Sequence, residues 1–454
     1  MLSHKTWGSD RLCLLRIYRS VVRSRLDYGS FVYGSARPSA LKVLDHIHHQ
    51  GLRLATGAFR TSPVLSLYAE ANEVSLDRRR FFLGFMYSLR IRSVVQHPAR
   101  KAVEGSRYQR TFENKPSVIP PFAIRNRNVA ESFEMNSNLP VDPVPQSVAP
   151  WDYDCICCNF SLTKFNKKDT PTEVMRQEFL ELHKQHDCHF HYYTDGTKTD
   201  LFVGCAMIGP AVRRVCRLNS AATVFTAELH GLLLAVDHII QTSNSPSVIY
   251  TDSLSALRAL TSLATAKNAL IALLQNKIVA ATRKGCSVVF CWVPSHVGIP
   301  GNEEVDRAAS TCDTRAVDTN SLPFKDYCAS LKYHIKAQWQ AEWTLQVANK
   351  LHMIKPFLSE WESARHRDRF YEVVLCRLRI GHTRLTHTHL LRGEDPPECE
   401  HCQEPLSVLH ILLECPAYDE KRRHYFSQLY KEHVPLHLCV LLGDEPLVPH
   451  TQVF

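Results

Sequence analysis

Four carboxylates stand out by type and setting. Asp195 lies in Tyr193-Thr194-Asp195-Gly196, Glu228 in Thr226-Ala227-Glu228-Leu229, and Asp252 in Tyr250-Thr251-Asp252-Ser253. Asp306 lies in Asn302-Glu303-Glu304-Val305-Asp306-Arg307-Ala308-Ala309. Carboxylates gathered within about 4–6 Å repel and raise one another's pKa, so such a cluster calls for a cation. An all-oxygen ligand set suits Mg²⁺, with Mn²⁺ able to substitute, over zinc. Two such ions, about 4 Å apart, clamp the attacking water and the leaving oxygen of a phosphodiester. The chemistry these residues could perform is therefore phosphodiester hydrolysis.

A second constellation follows later in the chain. Cys399-x2-Cys402-x7-His410-x4-Cys415 offers three thiolates and one imidazole, the make-up of a closed structural zinc site, with His401 and His389 as alternative ligands. The plainer reading is cysteines packed in a small helical tail.

The acids need elements to position them. Residues 189–194 read as a strand, 203–208 and 212–218 as a hairpin turning at Gly209-Pro210, and 226–240 as a helix. That helix has a core face of Leu229, Leu232, Leu233, Val236 and Ile240. A strand over 248–251, helices over 254–260 and 268–283, a strand over 287–293 and a helix over 302–311 capped by Asn302 complete the series. The order predicts an α/β fold: a mixed five-stranded sheet with flanking helices. Asp195 and Asp252 are expected at strand C-terminal ends, Glu228 on a helix beside its core face, and Asp306 in the first turns of another helix.

Around this lie less regular segments. Residues 1–104 read as helical, with Leu14, Leu15, Tyr18, Val21 and Val22 at helical spacing and arginines opposite. Residues 105–187 are expected as a linker. Seven prolines fall between Pro116 and Pro150, which predicts extended or disordered chain over 105–150. Residues 316–454 read as a helical basic tail, with Arg365, Arg367, Arg369, Arg377, Arg379, Arg384 and Arg392 ahead of the cysteine set at 399–415. The chain's 454 residues allow two or three cored domains, and a net charge of +9 admits nucleic acid or an anionic surface as a partner. The N-terminus is broken by Arg11, Arg16, Arg19, Arg23 and Arg25, and no run of about 18 apolar residues occurs. The 16 cysteines are scattered, many in apolar runs. These features predict a soluble intracellular protein with reduced thiols and no membrane partner. They name no protein partner.

The acidic motifs, with Trp292-Val293-Pro294-Ser295-His296-Val297-Gly298-Ile299-Pro300-Gly301-Asn302 between the last two, resemble the ribonuclease H domain in that order across about residues 190–311. The resemblance implies a ribonuclease H-like domain over 188–315. Asp195, Glu228, Asp252 and Asp306 would be ligands of two Mg²⁺ ions, with Asp195 bridging, Glu228 and Asp252 completing one site and Asp306 the other. It places that family's mobile-loop histidine on His296, to relay a proton or help product leave. The implied activity is endonucleolytic cleavage of the RNA strand of RNA–DNA hybrids, leaving 5′-phosphomonoesters. The family's longer versions carry a basic helical protrusion that the 34 residues between Asp252 and Ser287 do not accommodate.

Leu26-Asp27-Tyr28-Gly29, Tyr33-Gly34 and Gln50-Gly51-Leu52-Arg53-Leu54-Ala55-Thr56-Gly57 resemble the segment after the palm of non-LTR retrotransposon reverse transcriptases. Arg379-Ile380-Gly381-His382-Thr383 and His410-Ile411-Leu412-Leu413-Glu414-Cys415-Pro416 resemble the Cys-Cys-His-Cys tail of the same elements. No two aspartates are adjacent, so that family's catalytic pair is missing and polymerase activity is not expected. The alternative to a working nuclease is a catalytically silent nucleic-acid-binding relic of a truncated mobile element.

Overall fold

The computed structural model describes residues 4–105, 109–114, 119–262, 268–312, 316–363, 366, 368–447, 449 and 453. Pro116 of the proline-rich stretch and Arg365 and Arg367 of the basic run lie outside the described residues. The chain forms two compact units, Phe85–Lys332 and a second made of Met1–Gly84 with Tyr333–Phe454.

The Phe85–Lys332 unit is built on a six-stranded mixed sheet. Its elements are β1 (Cys157–Asn159), α1 (Thr172–Gln185), β2 (Phe190–Lys198), β3 (Val203–Gly209), β4 (Val212–Leu218) and α2 (Val224–Thr242). They continue with β5 (Ser247–Thr251), α3 (Leu254–Leu260), α4 (Ala269–Arg283), β6 (Val288–Trp292) and α5 (Pro300–Ala309). The strand order is β1-β6-β5-β2-β3-β4. β1, β6, β5 and β2 run parallel, and β2, β3 and β4 form an antiparallel meander.

The five expected strands are present, and a sixth lies at the edge. β1 is only three residues long and is held extended by pairing Cys157 with Val289 and Asn159 with Cys291. Three residues carry no readable period, so only the partner strand reveals it. The extended reading of 105–150 also needs correction. Phe122–Ser132 is a helix that buries Ala123, Ile124 and Ala130. Within the expected linker α1 also forms, with Met175, Phe179 and Leu182 buried at helical spacing.

Both faces of the sheet are covered. On one, Leu229, Leu232 and Val236 of α2 pack with Leu257 of α3, Leu274 and Ile278 of α4, and Tyr192, Ile249 and Phe290 of the strands. On the other, the α1 residues meet Val248, Tyr250 and Cys291, and Val305, Ala308 and Ala309 of α5 meet Ala206 and Val215. Val248 and Tyr250 of β5 therefore face opposite to Ile249, as the two-residue period of a strand requires. All five β5 residues are buried, as expected of a parallel strand covered on both faces.

The other unit is helical. Its N-terminal and C-terminal segments, expected as separate stretches, share one core: Leu15, Tyr18, Leu52 and Leu67 pack with Trp339, Trp343, Leu375 and Leu441. Buried ions tie the same segments. Arg11 pairs with Glu70, whose Oε2 accepts the Trp361 indole N–H at 2.8 Å. The Arg379 guanidinium lies 3.6 Å from the centre of the Trp361 ring and donates to the Leu442 and Gly443 carbonyls.

Candidate metal centres

β2 and β5 are neighbours, with Thr194 opposite Thr251, so the residues that follow, Asp195 and Asp252, leave the paired stretch at one level. Asp252 lies just past its strand. Asp195 does not end β2, because β2 goes on pairing with β3 as far as Lys198. Glu228 stands on α2, whose N-terminus is capped by the Thr223 hydroxyl accepting from the Thr226 N–H. Gly196 lets α2 approach the sheet: a Cβ there would lie 2.6 Å from the Ala227 carbonyl carbon and closer still to the Glu228 nitrogen.

The result is a tight triad. One oxygen each from Asp195, Glu228 and Asp252 lies within 4.8 Å of the others. A second group, one ligand atom each from His296, Glu303 and Asp306, fits the same limit. Asp195 and Asp306 also interact directly through their side chains, so the two groups adjoin at these residues.

Electrostatics show the cost. Asp195 is pushed up to about 7, first by burial and then by Asp252 and Asp306. Glu228 is raised well above the ordinary carboxylate range by burial and then by Asp195 and Asp252, and its Oε2 is buried with no hydrogen-bond partner. Asp252 is raised by burial, against the lowering influence of a hydrogen bond from Asn302 and of His296. Buried, mutually repelling oxygens with an orphaned lone pair are what a hard divalent cation would satisfy, so the donor set fits Mg²⁺ or Mn²⁺.

Neighbouring residues fix this geometry. α5 begins at Pro300, with Ile299 as its N-cap, so Asn302 lies inside the first turn and is not the cap. Proline is pre-set for a first helical turn, which displaces the expected start by two residues and frees the Asn302 side chain for Asp252. The Trp292 indole N–H donates to the Asp252 carbonyl at 3.0 Å, while Tyr250 is fully buried. His296 holds a left-handed backbone with φ of 51°, unusual for a residue with a Cβ. Its Nδ1 lies 3.8 Å from an Asp306 oxygen, and its side chain is 68% exposed. Sequence reasoning passed over Glu303, although its spacing of three residues before Asp306 puts both on one helix face.

The cysteine set also converges, in the helical unit. Ligand atoms of Cys399, Cys402, His410 and Cys415 lie within 4.8 Å of one another, and neither His401 nor His389 belongs to the group. Cys415 Sγ is 3.7 Å from both Cys399 Sγ and Cys402 Sγ. Tetrahedral ligation with Zn–S bonds of about 2.3 Å places sulfurs roughly 3.8 Å apart. His410 is buried and neither ring nitrogen has a hydrogen-bond partner. The His401 N–H, with that of Cys402, draws the Cys399 thiol down to about 6. The donor set fits zinc.

Residues 187–313 match the family model described as RNase H, so this stretch is an RNase H domain. Among solved structures, the chain is similar to RNase H1 from the halophilic archaeon Halobacterium salinarum NRC-1. The two are 18% identical over 27% of this chain and 95% of that chain, with a TM-score of 0.22. No curated protein matches the chain.

Proposed function

We propose that the protein cleaves the RNA strand of RNA–DNA hybrids endonucleolytically, in a divalent-metal-dependent reaction that leaves 5′-phosphomonoesters. The observation that carries this reading is the buried Asp195–Glu228–Asp252 triad with the orphaned Glu228 oxygen, adjoining Asp306. Asp195, Glu228 and Asp252 would hold divalent metal together with Asp306, and Glu303 would supplement Asp306. When bound, a Mg²⁺ pair supplies an activated water and neutralises charge on the departing oxygen. The residues of this chain do the rest. Asn302 and Trp292 fix Asp252, Gly196 sets the depth of Glu228, and exposed His296 moves a proton at the rim. A hybrid is recognised by shape and by 2′-hydroxyl contacts.

In the same proposal the Cys399, Cys402, His410 and Cys415 set holds a structural zinc, and the chain derives from a non-LTR retrotransposon. That origin rests on the motifs in residues 26–57, the RNase H domain and the cysteine tail. Among the described residues no helix is long and apolar enough to cross a membrane. The test is cleavage of an end-labelled hybrid with Mg²⁺, wild type against Asp195→Asn. Mg²⁺-dependent release of 5′-phosphorylated RNA by the wild type alone is expected. Equal products from both proteins would overturn the hydrolase, and hybrid binding without cleavage would favour the silent relic.

A further inference from the structure

The helical unit contains a cavity of about 250 Å³ that the nuclease reading does not use. Its lining includes Lys5, Arg53, Arg60, Arg369 and Arg377 and, among the described residues, no carboxylate. Several other arginines of this unit are matched by acids: Arg11 with Glu70, Arg19 and Arg23 with Glu73, Arg79 with Asp27, Arg78 with Glu342. At the cavity, among the described residues, only Arg369 has such a partner, Glu372 at 2.9 Å.

Neutral groups orient Arg53 and Arg377, and also brace Arg369 beside its pairing with Glu372. Arg369 donates to the Leu54 and Ala55 carbonyls at 3.1 and 2.9 Å, Arg377 to the Gly57 carbonyl at 3.0 Å, and Arg53 to the Ser62 carbonyl at 3.2 Å. Carbonyl acceptors orient a guanidinium without cancelling its charge. Donors are also left over: the Nε atoms of Arg53 and of Arg369, itself only 4% exposed, are buried with no hydrogen-bond partner. Unpaired buried donors carry a desolvation cost that an anion would relieve. Burial already draws Arg53 and Arg377 below the usual arginine range, as expected of cations lacking counter-charge. Lys5 and Arg60 stand exposed, leaving the cavity open to a large ligand.

We propose that this cavity is a phosphodiester-binding site that holds the backbone of a nucleic-acid strand. Several oriented guanidinium forks match phosphate oxygens, and a cavity of one charge sign concentrates a polyanion. The choice of nucleic acid among polyanions rests on the hybrid-cleaving reading above.

The test uses the full chain carrying Asp195→Asn, with Mg²⁺ present, and the fluorescence anisotropy of a labelled RNA–DNA hybrid over a salt series. Adding Lys5→Gln and Arg60→Gln, both at exposed positions, is expected to weaken binding about tenfold and to flatten the slope of log affinity against log salt by about two. Arg16→Gln with Lys42→Gln, exposed cations away from the cavity, serves as the control. An unchanged slope in the cavity variant, or an equal loss in the control, overturns the proposal. Displacement of the hybrid by polyglutamate as readily as by unlabelled RNA overturns the nucleic-acid assignment. Cleavage by the otherwise wild-type chain is read separately: its absence alongside the full salt effect removes the hydrolase and leaves the cavity standing.

Discussion

Substituting Asp195 by asparagine should make the RNase H domain more stable when divalent cations are withheld. A carboxyl held at about 7 instead of its ordinary value of 3.8 binds its proton more tightly folded than unfolded. Stability from this group is therefore greatest below about pH 4 and is lost as pH rises to about 7. At pH 8 the deficit reaches ~4 kcal/mol, at about 1.4 kcal/mol for each tenfold factor. The substituted amide has no proton to lose, so the variant should gain up to that amount and lose most of this slope. The readout is amide hydrogen exchange of the peptide covering Phe190–Lys198, corrected for intrinsic rates, which reports this sheet alone within the full chain. Exchange in the variant should slow by up to about three orders of magnitude at pH 8, with little difference at pH 4. Added Mg²⁺ should then protect the wild type more than the variant. Exchange at pH 8 as fast in the variant as in the wild type would refute the claim that burial and the neighbouring carboxylates hold Asp195 above its ordinary value.

Three further outcomes follow from the same geometry. His296→Ala should lower kcat by about tenfold or more with KM little changed, measured by steady-state hybrid cleavage, because the side chain stands at the rim of the triad. Gly196→Ala should destabilise the domain by about 1–3 kcal/mol and weaken Mg²⁺ dependence of cleavage, since the new methyl must push α2 and Glu228 from the sheet. Cys415→Ser should abolish stoichiometric zinc, measured by mass spectrometry of the metal content, and lower the thermal stability of the helical unit, because Cys415 lies against both other thiols.

Much of the domain is legible in the sequence because its strands are long enough to show a period and its helices have clear apolar faces. Asp195 and Asp252 were readable because each follows an aromatic or apolar run whose pairing sets both at one level. What escaped depends on partners distant in sequence. β1 is extended only because β6 lies beside it, and Asn302 became a hydrogen-bond partner of Asp252 only because Pro300 starts the helix earlier. The cavity cations come from residues 5–60 and 369–377, a separation no local pattern spans. The shared core of the helical unit was hidden for the same reason.

The short edge strand bears on how this domain could be excised. A fragment cut to the family match, residues 187–313, would discard β1 and α1 together. That would bare the backbone of β6, a strand dominated by valine, phenylalanine, cysteine and tryptophan, along one side. It would also strip the cover of Met175, Phe179 and Leu182 from Val248 and Tyr250. Open, apolar strand edges recruit other chains. Such a piece should therefore self-associate, whereas one beginning ahead of Trp151 keeps its own stopper.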